Sequence, residues 1–229
     1  MFRCAILVML LIISPARAEP IPKESEAAKI EDVWGKLVDE GGGAKVKLDK
    51  QKLILTVPAG DRFVFSYKPN NGKLAPHLVK TVKGDFSVTV TLVKHEQPAM
   101  GERGDPPVGL GIVLIFDSKN RAGFGRIFPT ATHSHMRSFT VSGDASASAA
   151  GGGVRPSEQL KPITIRLTRK ENSLQNEYST DGGKNWTTLS RHVANGDSDE
   201  VKVGVYAEHT VDHETTAVFE GFAITKPKK

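Results

Sequence analysis

"FSVTVTLV", residues 86–93, alternates without a break: Phe86, Val88, Val90 and Leu92 fall on one side, Ser87, Thr89 and Thr91 on the other. Successive strand side chains point to opposite faces, so this is a strand with one dry face and one wet face. Two other stretches repeat the pattern. "ITIRLTR" (163–169) sets Ile163, Ile165 and Leu167 against Thr164, Arg166 and Thr168. "VKVGVYAE" (201–208) sets Val201, Val203, Val205 and Ala207 against Lys202, Tyr206 and Glu208. Half-buried strands of this kind belong to antiparallel sheets packed on one side only.

Working outward, further strands are expected at 44–49, 52–57, 62–67, 109–116, 122–128, 137–142, 173–179, 185–189 and 216–225. Turn signals separate them: "PNNGK", "DSKNR", "STDGG" and "NGDSD". "VGLGIVLIF" is apolar on both faces, as a central strand covered on both sides would be. No stretch of ten or more residues within the domain has strong helical periodicity. About a dozen strands in one chain of this length predict an all-β fold, a jelly-roll sandwich of two antiparallel sheets. Two segments interrupt the pattern and are expected to be loops: "HEQPAMGERGDPP" (95–107) and the low-complexity "SGDASASAAGGG" (142–153).

The first residues stand apart from this domain. "MFRCAILVMLLIISPARA" has Arg3, an apolar run from Ala5 to Ile13, and the small-x-small site Ala16-Arg17-Ala18. It reads as a signal peptide over 1–18, with an apolar run too short to span a bilayer. Residues 19–32 read as a flexible leader, 33–225 as the sandwich and 226–229 as a basic tail. Secreted or periplasmic localisation follows, with no membrane span in the mature chain. Cys4 is the only cysteine and departs with the signal, which leaves neither disulfide nor thiolate. About 211 residues suffice for a core without cross-links. The net charge of +5 falls to about +3 without Arg3 and Arg17, and the basic residues are scattered among acids. No nucleic-acid partner is expected, since that role wants clustered Lys and Arg.

Four stretches taken together resemble a known family: "LAPHLVKTVKGDFSVTVTL", "GLGIVLIFDSKNRAGFGRI", "YSTDGGKNW", and "VKVGVYAEHT" followed by "FEGFAI". In this order, over most of 33–225, they resemble bacterial secreted domains of unknown function with a concanavalin A-like lectin/glucanase fold. The resemblance implies a jelly roll of twelve to fourteen strands in two packed sheets, one of them concave. Family members often carry an aromatic just after the "DSKN" turn, where this chain has "RAGFG".

Candidate chemistry is sparse. Ser179, Asp181, Gly183 and Trp186 in "STDGGKNW" match the S-x-D-x-G-x-x-W hairpin known as an Asp-box. Its duties are structural: the carboxylate takes turn N–H groups, and Trp186 is expected to pack its ring on the sheet. Glucanases of this fold place acids on alternate strand positions, with a retaining pair about 5 Å apart. The nearest match is Glu208, Asp212 and Glu214, with the wrong first gap, so no catalytic residue is assigned. His133 and His135, joined by His209 and His213, have the pattern of a strand zinc site, and Asp197 and Asp199 that of a calcium loop. No acidic second shell can be assigned to the histidines from sequence, the aspartate loop lacks an EF-hand's length, and no metal or cofactor is assigned. The expected ligand-binding residues are His77, Arg126, Tyr206, Glu208 and His209, drawn together on a wet sheet face. The function that follows is a secreted, non-catalytic module that weakly binds a polysaccharide or cell-surface glycan. The alternatives are a glycoside hydrolase-like enzyme with an atypical site, and a structural envelope protein that binds other proteins.

Overall fold

The computed structural model describes residues 25–60, 63–65, 73–96, 108–130, 133–143, 145–153, 161–193, 198–209 and 212–227. The signal peptide, most of the 95–107 loop and the centre of the candidate calcium loop lie outside the described residues.

Two seven-stranded antiparallel sheets carry the fold. The first, sheet A, runs β1 (Lys36–Val38), β6 (His77–Lys83), β15 (Glu200–Glu208), β8 (Val108–Ile115), β9 (Asn120–Thr130), β10 (His133–Ser142) and β11 (Ala145–Gly153). The second, sheet B, runs β14 (Thr187–Val193), β13 (Ser173–Ser179), β12 (Ile163–Lys170), β7 (Phe86–Glu96), β16 (Thr215–Thr225), β3 (Lys52–Val57) and β2 (Lys45–Asp49). Half of these pairings join strands consecutive in the chain, and the other half join distant ones, such as β6 with β15 and β7 with β16, where side chains rather than local turns must select the partner.

The alternating apolar residues meet between the sheets. Val88, Val90, Ile165 and Leu167 of sheet B face Val203, Val205, Ile112 and Phe124 of sheet A, and all are buried. β8 is the middle strand of sheet A and is buried from Val108 to Leu114, as a strand apolar on both faces must be. A short parallel pair, β4 (Phe63–Val64) with β5 (Lys73–Leu74), lies outside both sheets.

Strands β1 and β6 were not expected from the sequence, and three further segments differ from its reading. Residues 26–32, assigned to the leader, form with Val33 and Trp34 the helix α1 (Glu26–Trp34), capped by Ser25 and anchored by Trp34, whose ring stacks on Phe222 at 5.5 Å. Residues 145–153 of the low-complexity run, read as a loop, are edge strand β11. Edge pairing there rests on backbone bonds to β10 and needs no large side chains. Of the strand expected at 62–67, Phe63 and Val64 form β4, Phe63 bridges to His209 and the chain bends at Phe65, while 62, 66 and 67 lie outside the described residues.

Candidate functional site

Strand register assigns the outer face of sheet A, the one turned away from sheet B. One row across it reads His77, Tyr206, Gly111, Gly125, Arg137. The next reads Val79, Gly204, Val113, Gly123, Phe139. Beside the first row lie Glu208, Gly109 and Ile127, and beyond the second lie Thr81, Lys202, Ile115 and Arg121. Glycines dominate the middle of this face, and larger side chains lie down across them. A Cβ at Gly123 would sit 2.3 Å from the Phe139 ring, and one at Gly109 only 3.0 Å from Glu208 Oε1. Bulk at either position would lift those groups off the sheet.

Phe65 closes part of this face. Its N–H donates to Glu208 Oε2 at 2.8 Å, while Arg137 Nη2 donates to Glu208 Oε1 at 2.9 Å. The Phe65 ring meets His77 edge-on at 4.9 Å and Tyr206 at 5.4 Å, and Phe139 meets Tyr206 edge-on at 5.8 Å. Arg121 Nε donates to the Phe65 carbonyl at 2.9 Å, with its guanidinium 5.5 Å from the Phe65 ring. Tyr206 and Glu208, expected on a wet face, are therefore only 1% and 2% exposed. Burial shapes the titrations. It lowers His77 to about 4, against the opposing pull of its Nδ1–H bond to the Ala75 carbonyl. It also raises the Tyr206 phenol, with the Glu208 carboxylate adding to the effect, and it lowers Arg121.

Past the Phe65 cover the face opens into a cleft of about 540 Å³. Thr81, Lys202, Ile115 and Arg121 are among its lining residues, with His77, Phe65 and Phe116 beside them. Glu40, Asp117 and Glu200 also line it. Aromatic edges, two cations and three carboxylates around one concavity are the chemistry that hydroxyl-rich ligands use.

The structure brings His77, Tyr206 and Glu208 together on this face, but not the other two candidates. Arg126 sits in register with Leu110 and Met136 on the inner face, beside Phe124. There it donates to Ser134 Oγ and the Lys161 carbonyl. His209 turns away to stack on Phe63 and donates through Nε2 to the Pro58 carbonyl. Sequence reasoning passed over Phe65, Arg121, Arg137 and Phe139. The one signal available was the glycine spacing, 109/111 and 123/125, which marks a single face of two strands.

The acids scatter. Glu208 is the sole carboxylate among the described residues of the rows above, Asp212 is exposed, and Glu214 pairs with Lys45 at the far edge of sheet B. Among the described residues, no three His, Cys, Asp or Glu side chains gather as a metal ion would require. The Asp-box is a closed turn. Ser179 Oγ donates to Asp181 Oδ1, which also accepts the Lys184 and Asn185 N–H groups, and Gly182 and Gly183 have φ of 73° and 89°. The Asn185 N–H, followed by the Ser179 hydroxyl, holds the Asp181 carboxyl below its ordinary range. No helix among the described residues is long and apolar enough to cross a membrane.

A family profile described as "Protein of unknown function (DUF1349)" matches residues 43–227. No curated protein matches the chain. Among solved structures, a functionally unknown protein from Saccharomyces cerevisiae is similar at a TM-score of 0.66 and 15% identity, over 85% of this chain and 97% of that one. A xylan β-1,4-xylosidase from Bacillus halodurans is similar at 0.53 and 11%, over 93% of this chain but only 41% of the enzyme. The CBM2 module of an evolved Dit protein from Lactobacillus casei BL23 phage J-1 is similar at 0.50 and 8%, over 82% of each. At these identities the likeness is one of fold, a jelly-roll-like β-sandwich of two antiparallel sheets.

Proposed function

The chain belongs to the DUF1349 family, and on that fold we propose that it is a secreted, non-catalytic module that binds a polysaccharide or cell-surface glycan in the cleft of sheet A. The cleft itself carries the reading: about 540 Å³ walled by Phe65 and Phe116, with Arg121 and Lys202 from the sheet and carboxylates at Glu40, Asp117 and Glu200. Rings offer faces to the C–H side of a sugar, and paired charges can bracket its hydroxyls. His77 lines the cleft, while Tyr206 and Glu208 lie under Phe65 and support the wall rather than contact a ligand. Similarity in fold to a carbohydrate-binding module and to part of a xylosidase agrees with this reading. Secretion rests on the signal-like residues 1–18.

Titration with xylo-, gluco- and galacto-oligosaccharides, followed by NMR, tests the proposal. Lys202 is exposed, so Lys202→Ala should leave the fold intact and weaken binding by about 1–2 kcal/mol. Absence of any saccharide binding, or binding indifferent to Lys202→Ala and to a blocking Thr81→Trp, would overturn the assignment.

A further inference from the structure

A second concavity, of about 350 Å³, lies at one end of the sandwich between the sheets. That is the lower end of the roughly 300–1,000 Å³ usual for small-molecule sites. Residues of both sheets line it: Leu92 and His95 from β7, Leu110 from β8, and Arg126 and Phe128 from β9. Register places them on the inner faces, with Leu92 opposite Ile163, His95 opposite Ala217 and Arg126 opposite Leu110.

Its polar groups are unusual for the space between two sheets. Both ring nitrogens of His95 are buried without a hydrogen-bond partner, although a neutral imidazole carries one donor and one acceptor that ordinarily find partners when buried. The ring lies 5.3 Å from Phe128, and the buried Arg126 guanidinium lies 5.0 Å from that same ring. Exposed Lys94 completes the lining at the rim. The described lining thus combines two cations and an imidazole with apolar walls, and it contains no acid.

We propose that this inter-sheet pocket binds a small amphipathic carboxylate, its apolar body against Leu92, Leu110 and Phe128 and its carboxylate toward His95 and Arg126. A wholly apolar guest would leave both His95 nitrogens unmatched. A neutral sugar would bring too little apolar surface for those walls. A bound carboxylate also favours protonation of His95, which burial and, after it, the His209 charge now hold at about 3.

Sodium octanoate is a suitable probe, titrated into the full chain while the His95 ring is followed by NMR, with 1-octanol as the neutral control. Saturable octanoate binding is expected, with the His95 pKa raised and octanol weaker by at least about tenfold. His95→Phe should erase the preference, so that octanoate and octanol bind alike. Arg126→Met, where it folds, should weaken octanoate while sparing octanol. Equal affinity of the wild type for both probes, octanoate binding that leaves the His95 resonances unmoved, or no octanoate binding at all would each overturn the proposal. None of these readouts depends on the sugar cleft.

Discussion

The outer faces of the two sheets begin from the same alternation in sequence and end as different surfaces. On sheet B the outward residues pair locally. Ser87 meets Thr168 at 2.8 Å, Thr91 meets Thr164 at 3.0 Å, and Arg166 meets Glu177 at 2.8 Å, with Trp186 laid over Arg166. This is a solvated face whose interactions are strand-to-strand contacts worth a few tenths to one kcal/mol each. On sheet A the outward residues are glycines, buried aromatics and a dry ion pair under Phe65. One face can exchange its residues with little effect on the rest; the other carries long-range dependence among distant segments.

The largest expected effect separates the two ion pairs. Glu208 and Arg137 have side chains only 3% and 16% exposed, whereas Glu177 and Arg166 of the sheet B pair are 10% and 30% exposed. Removing one partner of a buried pair leaves the other charge dry and costs about 3–5 kcal/mol, so Glu208→Gln should lower stability by about 3 kcal/mol. Glu177→Gln leaves Arg166 within reach of water and should cost about 1 kcal/mol. Urea unfolding of both variants decides the matter, and equal losses would erase the contrast between the faces. Reducing-end assays on the same Glu208→Gln protein also test the catalytic alternative, since hydrolysis present in the wild type and lost in the variant would make Glu208 catalytic.

Acid should weaken sheet A through His77. His77 titrates near its ordinary 6.5 in the unfolded chain and at about 4 in the folded one. A depressed histidine contributes stability at pH values above 6.5, where both states are neutral. As pH falls from 6.5 toward 4, the unfolded state takes up the proton and the folded state does not, so stability is lost. The full shift corresponds to about 3 kcal/mol. His77→Asn should make the stability profile between pH 6.5 and 4 shallower in urea titrations at successive pH values, the remaining slope belonging to His95 and His209. An unchanged slope would mean that His77 does not differ between the two states.

How far the sequence could be read follows the same divide. The dry and wet faces of 86–93 and 163–169 were legible because sheet B obeys the simple rule of apolar in and polar out. On sheet A the rule misleads. Tyr206 and Glu208 look solvent-facing, yet Phe65 covers them, and Phe65 comes from a segment whose docking no local pattern encodes. Arg126 is a different case: it lies two residues from Phe124 on one strand, so alternation already places it on the inner face. Arg137 shares its face with Phe139 and Val141, which alternation alone would have pointed at the core. Helix α1 was missed because Trp34 finds its partner, Phe222, nearly the whole chain away. The Asp-box was fully legible, since every bond in it lies within a few residues.

The smallest effect is expected where the sequence motif is most conspicuous. Trp186 is half-buried on the outer face of sheet B, its ring 4.0 Å from the Arg166 guanidinium, with Gly183 close beneath one edge. A core tryptophan cut to alanine costs about 3–5 kcal/mol, but this ring leaves no sealed cavity behind. What Trp186→Ala forfeits is a cation–π contact and partial burial, about 1–2 kcal/mol together. The turn itself should persist, because Ser179, Asp181 and the N–H groups of Lys184 and Asn185 hold it without the ring. Thermal unfolding with saccharide titration on Trp186→Ala checks both halves of the expectation. A loss of saccharide affinity at near-native stability would move the glycan site from sheet A to the hairpin, and the contrast between the two faces would then have to be drawn the other way round.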